Sequence, residues 1–201
     1  MIDFYTAGTG NGRRPALMLE ECGLDYTVHK LDLMKGEGRS PDYLKINPVG
    51  AIPAIVDHDG PDGATVTLAQ SGAILLYLAG KTGKFMPVNP TERAAHMQWL
   101  MYALTDCAPC SSAIFYASRL DDKSAQGLFE DRLLAMFGHL DRRLGETEYL
   151  AGTYGIADMA LYPVVDGRRA LAERQGGLDN LLRWAGAVGS RPAVQKGMAV
   201  A

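Results

Sequence analysis

The sequence predicts a small α/β domain followed by an all-helical domain. Three observations carry that prediction. The first eighty or so residues alternate strand-like and helix-like segments in the order β-α-β-α-β-β-α. Residues 81–91, KTGKFMPVNPT, then read as a linker of turn residues. Beyond Thr91 the apolar residues recur at helical spacing, with no strand pattern. The division is residues 1–80, a linker at 81–91, and a helical domain over 92–201.

Taken in order, Ile2 to Tyr5 is a short apolar strand ending in a Gly-rich turn, Gly8 to Gly12. A helical pattern runs from about Gly12 to Cys22, and Gly23 ends it in the C-terminal role that favours glycine. Tyr26 to Leu31 alternates as a strand does, and a brief helix follows around Asp42 to Ile46. Ala54 to Asp57 and Thr65 to Leu68 flank HDGPDGA, a polar Gly/Pro turn, and so form a hairpin. Ala69 to Ala79 reads as the closing helix of the domain.

Composition bounds the function. The chain has 201 residues, 47% hydrophobic and 21% charged, the balance of an ordinary soluble globular protein. A net charge of -3 without a basic run offers no footprint for nucleic acid or an anionic membrane. The longest apolar stretch, AILLYLA at 73–79, is far too short to span a bilayer, and the opening residues lack a signal-peptide pattern. Three cysteines, an odd number, argue against a disulfide scaffold and for a reducing, cytoplasmic setting.

The most conspicuous chemical string is DCAPCSS, with Cys107 and Cys110 at C-x-x-C spacing. A dithiol enzyme places such a pair where a strand turns into a helix, so that the helix N-terminus lowers a thiol pKa. Here the pair lies inside a long helical pattern that begins near Glu92, and Pro109 should kink that helix. No second close Cys/His pair completes a metal site, so no metal is expected. The pair reads as two buried or half-buried structural thiols at a kink, with dithiol redox chemistry as the remote alternative.

The strand-to-helix turn itself is TAGTGNGRRP, residues 6–15. It supplies the Thr9 hydroxyl, the Asn11 amide, exposed backbone N–H groups and a helix dipole, an arrangement that stabilises an anion. The plain alternative is a turn and a helix cap. Pro53 stands directly before a strand, and the Ile52–Pro53 bond is a candidate for cis. It would leave the Ile52 backbone free to pair with an extended peptide. Gln70 and Ser71 open a helix whose first N–H groups can hold a carboxylate. Together these suit a short, anionic, thiol-bearing peptide.

Three segments resemble the cytosolic glutathione transferase family. They are NPVGAIPAIVD at 47–57, QSGAILLYL at 70–78 and YLAG with IADMALYP at 149–163. The resemblance spans the chain, and TGNG at 9–12 with LMKGE at 33–37 is similar to the bacterial Nu-class-like proteins, which include disulfide-bond reductases. It implies a thioredoxin-like N-terminal domain and an all-α C-terminal domain. It further implies a glutathione-dependent transferase, or a disulfide reductase or peroxidase, that lacks a catalytic Tyr, Ser or Cys. Glutathione would be the co-substrate and a small electrophile or disulfide the partner, in a homodimer.

By that resemblance Thr9 and Asn11 contact the thiol. Ile52 and Pro53 match the pairing segment for the cysteinyl unit, and Gln70 and Ser71 the γ-glutamyl cradle. Tyr5, near where some classes place a tyrosine, falls at the end of the first strand. Relatives carry a cation where this chain has Ala51 and a polar residue near Gly38, groups that hold the glycine end, and both are absent here. Loss of ligand duty, leaving a non-catalytic binding or scaffolding module, is the alternative.

Asp158, three residues after Gly155, resembles the family's helix-capping acid and is assigned to folding. A stripe of Met97, Met101, Tyr102 and Thr105 is expected either to line an acceptor pocket or to be plain core. His58 and His96 are assigned no role.

Overall fold

The computed structural model describes residues 1–200, which divide into two compact units. The first comprises residues 1–84 together with the segment from Arg191, and the second residues 85–190. A contiguous reading of the sequence assigns that last segment to the helical domain.

The first unit holds β1 (Ile2–Thr6), α1 (Gly10–Cys22), β2 (Tyr26–Lys30), α2 (Pro41–Ile46), β3 (Ala54–Asp57), β4 (Val66–Ala69) and α3 (Ser71–Thr82). The four strands form one mixed sheet in the order β2-β1-β3-β4. β1 runs parallel to β2 and antiparallel to β3, and β4 returns antiparallel to β3 as the expected hairpin. Strand periodicity sets the faces: Ile2, Phe4 and Thr6 are buried on one side of β1, while Asp3 and Tyr5 point to the other. Gly23, with φ 67°, ends α1, and its amide donates to the Glu20 carbonyl at 3.1 Å. The last helix starts at Ser71 rather than Ala69 because Ala69 is still paired with Ala54 across the hairpin.

The chain's last helix, Pro192–Val200, packs on α1 within this unit. Gly197 permits the approach: a Cβ there would lie 2.9 Å from the Leu17 Cα. Beside it, Arg191 makes a two-pronged ion pair with Glu21, at 2.6 and 2.9 Å.

The second unit is all helical: α4 (Pro90–Met101), α5 (Ala108–Ala117), α6 (Ser124–Glu146), α7 (Ile156–Gly167), α8 (Arg169–Gln175) and α9 (Asp179–Gly189), so the final helix of the first unit is α10. Asn89 caps α4, its side-chain oxygen accepting from the Thr91 and Glu92 amides at 2.9 and 3.2 Å. Between α4 and α5 the helix widens into a π turn over Tyr102–Cys107. The expected irregularity therefore lies just before Pro109, which has no N–H to return to the Thr105 carbonyl.

α7 is the core helix, buried continuously from Ile156 to Val165. Leu133, Phe137, Leu140, Trp184 and Val188 belong to the same buried set. The buried Asp158 carboxylate accepts from the Trp184 indole at 2.8 Å, the Gly155 amide at 3.0 Å and the Leu150 amide at 3.2 Å. Among the described residues no helix is long and apolar enough to cross a membrane.

Candidate functional site

Strand direction alone gathers the candidate residues of the first unit. β1 ends where β3 begins, with Tyr5 opposite Ala54, and β4 ends at the same place, with Ala69 opposite Ala54. The turn after β1, the segment before β3 and the start of α3 therefore share one edge of the sheet. That edge carries Thr9, Asn11, Ile52, Pro53, Gln70 and Ser71.

Thr9 is the N-cap of α1, in extended conformation, and its hydroxyl oxygen accepts from the Gly12 amide at 3.2 Å. That use of the oxygen leaves the hydroxyl proton available for donation outward. The Gly10 and Asn11 amides head the helix, where backbone donors have no partner inside it. Gly12 is required here. A Cβ would lie 2.4 Å from both the Ala7 carbonyl and the Thr6 hydroxyl, so only glycine lets the helix start this close to the strand.

The sequence reading missed Arg14. This residue is 2% exposed, and its guanidinium donates to the Asn11 side-chain oxygen at 2.5 Å and to the Ser71 hydroxyl at 3.4 Å. A guanidinium only donates, so the oxygen of the Asn11 amide faces Arg14 and its NH2 group is turned away, toward the solvent side of the turn. One buried cation thus fixes the Asn11 side-chain amide and touches Ser71. The available signal was spacing: Arg14 stands three positions after Asn11, on the same helix face.

The Ile52–Pro53 bond is cis. Among the described residues, neither the amide nor the carbonyl of Ile52 has a hydrogen-bond partner. Its neighbour Ala51 is anchored, its carbonyl accepting from the Tyr43 hydroxyl at 2.7 Å and the Asn47 amide at 2.5 Å. Gln70 adopts φ 72°, ψ 118°, a region that costs a side-chain-bearing residue on the order of 1–3 kcal/mol. The exposed Gln70 hands the chain into α3, whose first residue, Ser71, is buried.

Tyr5 takes another role. Its ring stacks on His29 at 4.6 Å and tilts against Tyr43 at 5.7 Å, and burial pushes its phenol pKa up. A phenol held protonated in this way does not serve as a base at neutral pH. His58, given no role from sequence, donates through its ring Nε2 to the Asp3 carboxylate at 2.7 Å.

In the second unit, Cys107 and Cys110 are buried on the helix, and the Cys110 thiol donates to the Phe129 carbonyl at 3.3 Å. Burial raises its pKa, the opposite of what a nucleophilic cysteine needs. Of the stripe, Met101 and Thr105 are exposed and Met97 and Tyr102 half-buried, so this face is not core. Burial pushes the Tyr102 hydroxyl pKa up to about 12, and the single Thr105 hydroxyl proton is shared between the Met101 carbonyl at 2.9 Å and the Asp106 carboxylate at 2.8 Å.

Comparison with known proteins decides the family. Residues 11–81 match the glutathione S-transferase N-terminal domain. The chain is 40% identical over 171 residues to the disulfide-bond oxidoreductase YfcG of Escherichia coli, covering 83% of this chain and 80% of that protein. The chain belongs to the glutathione transferase family. The disulfide-bond oxidoreductase YghU of E. coli is 32% identical over 99% of this chain and 74% of its own length. Among solved structures, a glutathione transferase from Burkholderia graminis with two glutathione molecules bound per subunit superposes with a TM-score of 0.92. It is 32% identical, over 98% of this chain and 87% of that one. A transferase from Pseudomonas putida with one glutathione disulfide bound per subunit gives 0.91 at 31% identity, over 98% and 90%.

Proposed function

We propose that this transferase binds glutathione along the edge of its sheet and uses the thiolate to reduce disulfides, with conjugation to small electrophiles as the lesser activity. The observation that carries the reading is the buried Arg14, joined to both Asn11 and Ser71. It orients an amide N–H toward the place where a thiolate would sit and adds positive charge to a site for an anionic peptide. The free Ile52 backbone suits antiparallel pairing with the cysteinyl unit, and the α3 N-terminus with Ser71 suits the γ-glutamyl carboxylate.

The chemistry follows from what the chain offers. Thr9, the Asn11 amide, the leading amides of α1 and the helix dipole all favour the anionic form of a bound thiol, lowering its pKa. No protein nucleophile is needed, because the co-substrate carries the sulfur. In reduction, a glutathione thiolate attacks one sulfur of the substrate disulfide, and the S–S bond breaks as a mixed disulfide forms. A second glutathione then attacks the mixed disulfide. Glutathione disulfide leaves, and the substrate departs as two thiols with two protons gained. The names of the two E. coli relatives and the double or oxidised glutathione of the solved relatives support reduction over conjugation.

Homodimer formation and a cytoplasmic setting complete the proposal, on the general habit of the family. The reading is tested by replacing Thr9 and Asn11 with Ala together and following turnover against pH. The expected result is a loss of roughly tenfold to a hundredfold at pH 7 that shrinks toward pH 9, because the thiol now ionises at higher pH. An unchanged profile would sink the site assignment. Absence of any calorimetric signal with reduced or oxidised glutathione would favour the scaffolding alternative.

A further inference from the structure

Asn11 is followed by Gly12, and that dipeptide has a chemistry of its own beside its part in the site. The backbone nitrogen after an asparagine can attack the side-chain amide carbon, expel ammonia and close a five-membered imide. Three things favour the reaction: room at the next residue, a weakly held backbone N–H there, and a polarised amide carbonyl.

We propose that Asn11 is a site of spontaneous deamidation, and that its conversion to aspartate disables the anion-stabilising turn. The chemical step stands on local geometry alone, while its consequence rests on the glutathione reading above.

The chain holds no equal competitor. Asn47 and Asn89 precede Pro48 and Pro90, which have no N–H to give up. Asn180 precedes Leu181, whose side chain crowds the attack and whose amide donates to the Asp141 carboxylate at 2.9 Å. Asn11 is exposed, and Gly12 has no side chain to obstruct approach. The Gly12 amide lies in the first turn of α1, where N–H groups lack partners inside the helix, and it donates to the Thr9 hydroxyl oxygen at a long 3.2 Å. With Gly10 on the other side of Asn11, this is the turn of α1 that opens at least cost, as ring closure requires.

Arg14 supplies the polarisation. Its guanidinium donates to the Asn11 Oδ1 at 2.5 Å, drawing charge from the amide carbon, and it stands where negative charge develops on that oxygen during attack. The Gly12 nitrogen bonds to the Asn11 Cγ as the bond from Cγ to the side-chain nitrogen breaks. That nitrogen leaves as ammonia, carrying the proton that Gly12 gave up. Water then opens the imide at either carbonyl, giving aspartate or isoaspartate, with no oxidant or reductant involved.

In the aspartate product the new carboxylate meets the same guanidinium as an ion pair, which holds it in place. Negative charge now stands where an N–H donor faced the bound thiol, and ionisation of that thiol is disfavoured.

The test is peptide mass spectrometry on the full chain during incubation at pH 8. Amide-to-acid conversion at Asn11 should grow with time, several-fold faster than at Asn180, with isoaspartate among the products. Glutathione-dependent disulfide turnover should fall in step, toward the level of Asn11→Asp, roughly tenfold or more below the parent at pH 7. Asn11→Gln, which closes its larger ring far more slowly, should keep a constant mass and a constant activity of its own. Arg14→Lys, with fewer donors for the Asn11 oxygen, should convert several-fold more slowly than the parent.

An unmodified Asn11 would overturn the proposal, as would conversion no faster than at Asn180 or undiminished conversion in Arg14→Lys. Full conversion with unchanged turnover would overturn the consequence drawn for the turn. If the fresh parent protein showed no glutathione-dependent turnover, the glutathione reading would fall, and the masses alone would still decide the chemical step.

Discussion

Arg14 is the residue on which the candidate site turns, and it was invisible to motif reasoning because an arginine after a Gly-rich turn looks like a solvated helix residue. Buried arginines are uncommon unless their donors are satisfied. Here two of the satisfied contacts are site residues. Arg14→Gln should therefore raise the pKa of bound glutathione thiol, read from the thiolate absorbance against pH, while Arg14→Lys recovers part of the shift. Asn11→Asp makes a sharper case. It keeps an acceptor for Arg14 but replaces the outward NH2 donor with a second carboxylate oxygen beside the thiol. Thiol ionisation should move to higher pH than in Asn11→Ala, because a like charge is added as well as a donor lost. The thiols of Cys107 and Cys110, by contrast, should react with a thiol probe only after denaturation. A Cys107→Ala, Cys110→Ala double variant should keep its turnover and lose on the order of 1–2 kcal/mol of stability from the two shortened side chains.

At the scale of elements, most of the first unit was legible. The hairpin of β3 and β4, the Gly23 stop of α1 and the cis bond before Pro53 all follow from local chemistry that a single sequence carries. What local chemistry could not show was the path from β4 into α3, where pairing of Ala69 with Ala54 extends the strand by one residue and delays the helix by two. The π turn before Pro109 was missed in kind although its neighbourhood was foreseen. Periodicity registers that a helix is interrupted, and only the hydrogen-bond pattern tells how.

The cap of α7 is a further case. The sequence shows Gly155 where a cap hydroxyl is expected, a loss of a few tenths of a kcal/mol by itself. The structure shows the space filled: a Cβ at Gly155 would stand 2.7 Å from the His96 ring and from the Phe85 carbonyl. Gly155→Ser should therefore destabilise the protein even though serine is the better cap. His96→Ala combined with it should recover part of the loss in a double-mutant cycle of thermal unfolding.

At the scale of the whole molecule, two acids of opposite sign, the buried Asp158 and the half-buried Asp3, set an uneven response to pH. Burial raises the Asp158 pKa to about 6, above its unfolded value, although the Trp184, Leu150 and Gly155 donors pull the other way. The native state therefore binds a proton more readily than the unfolded chain, and this group adds stability as pH falls from about 7 toward 4. Asp3, held low by hydrogen bonds from His29 and His58, has the opposite sign, and its contribution is lost only as pH falls below the ordinary carboxylate range. Stability to denaturant should thus hold or rise between pH 7 and 5, then decline in stronger acid. In Asp158→Asn the rise between pH 7 and 5 should disappear while the acid decline remains.

The packing of α10 on α1 has a consequence for synthesis. The sheet, α1 and α3 are encoded in the first 84 residues, yet the surface of α1 around Leu17 waits for a helix made more than a hundred residues later. A growing chain stalled anywhere before Arg191 exposes that apolar patch, and the helical unit is ready to fold first although it is translated second. A chain cut after residue 190 should therefore engage holding chaperones and resist proteolysis only in its helical half, while a separately supplied 191–200 helix should restore protection to the other.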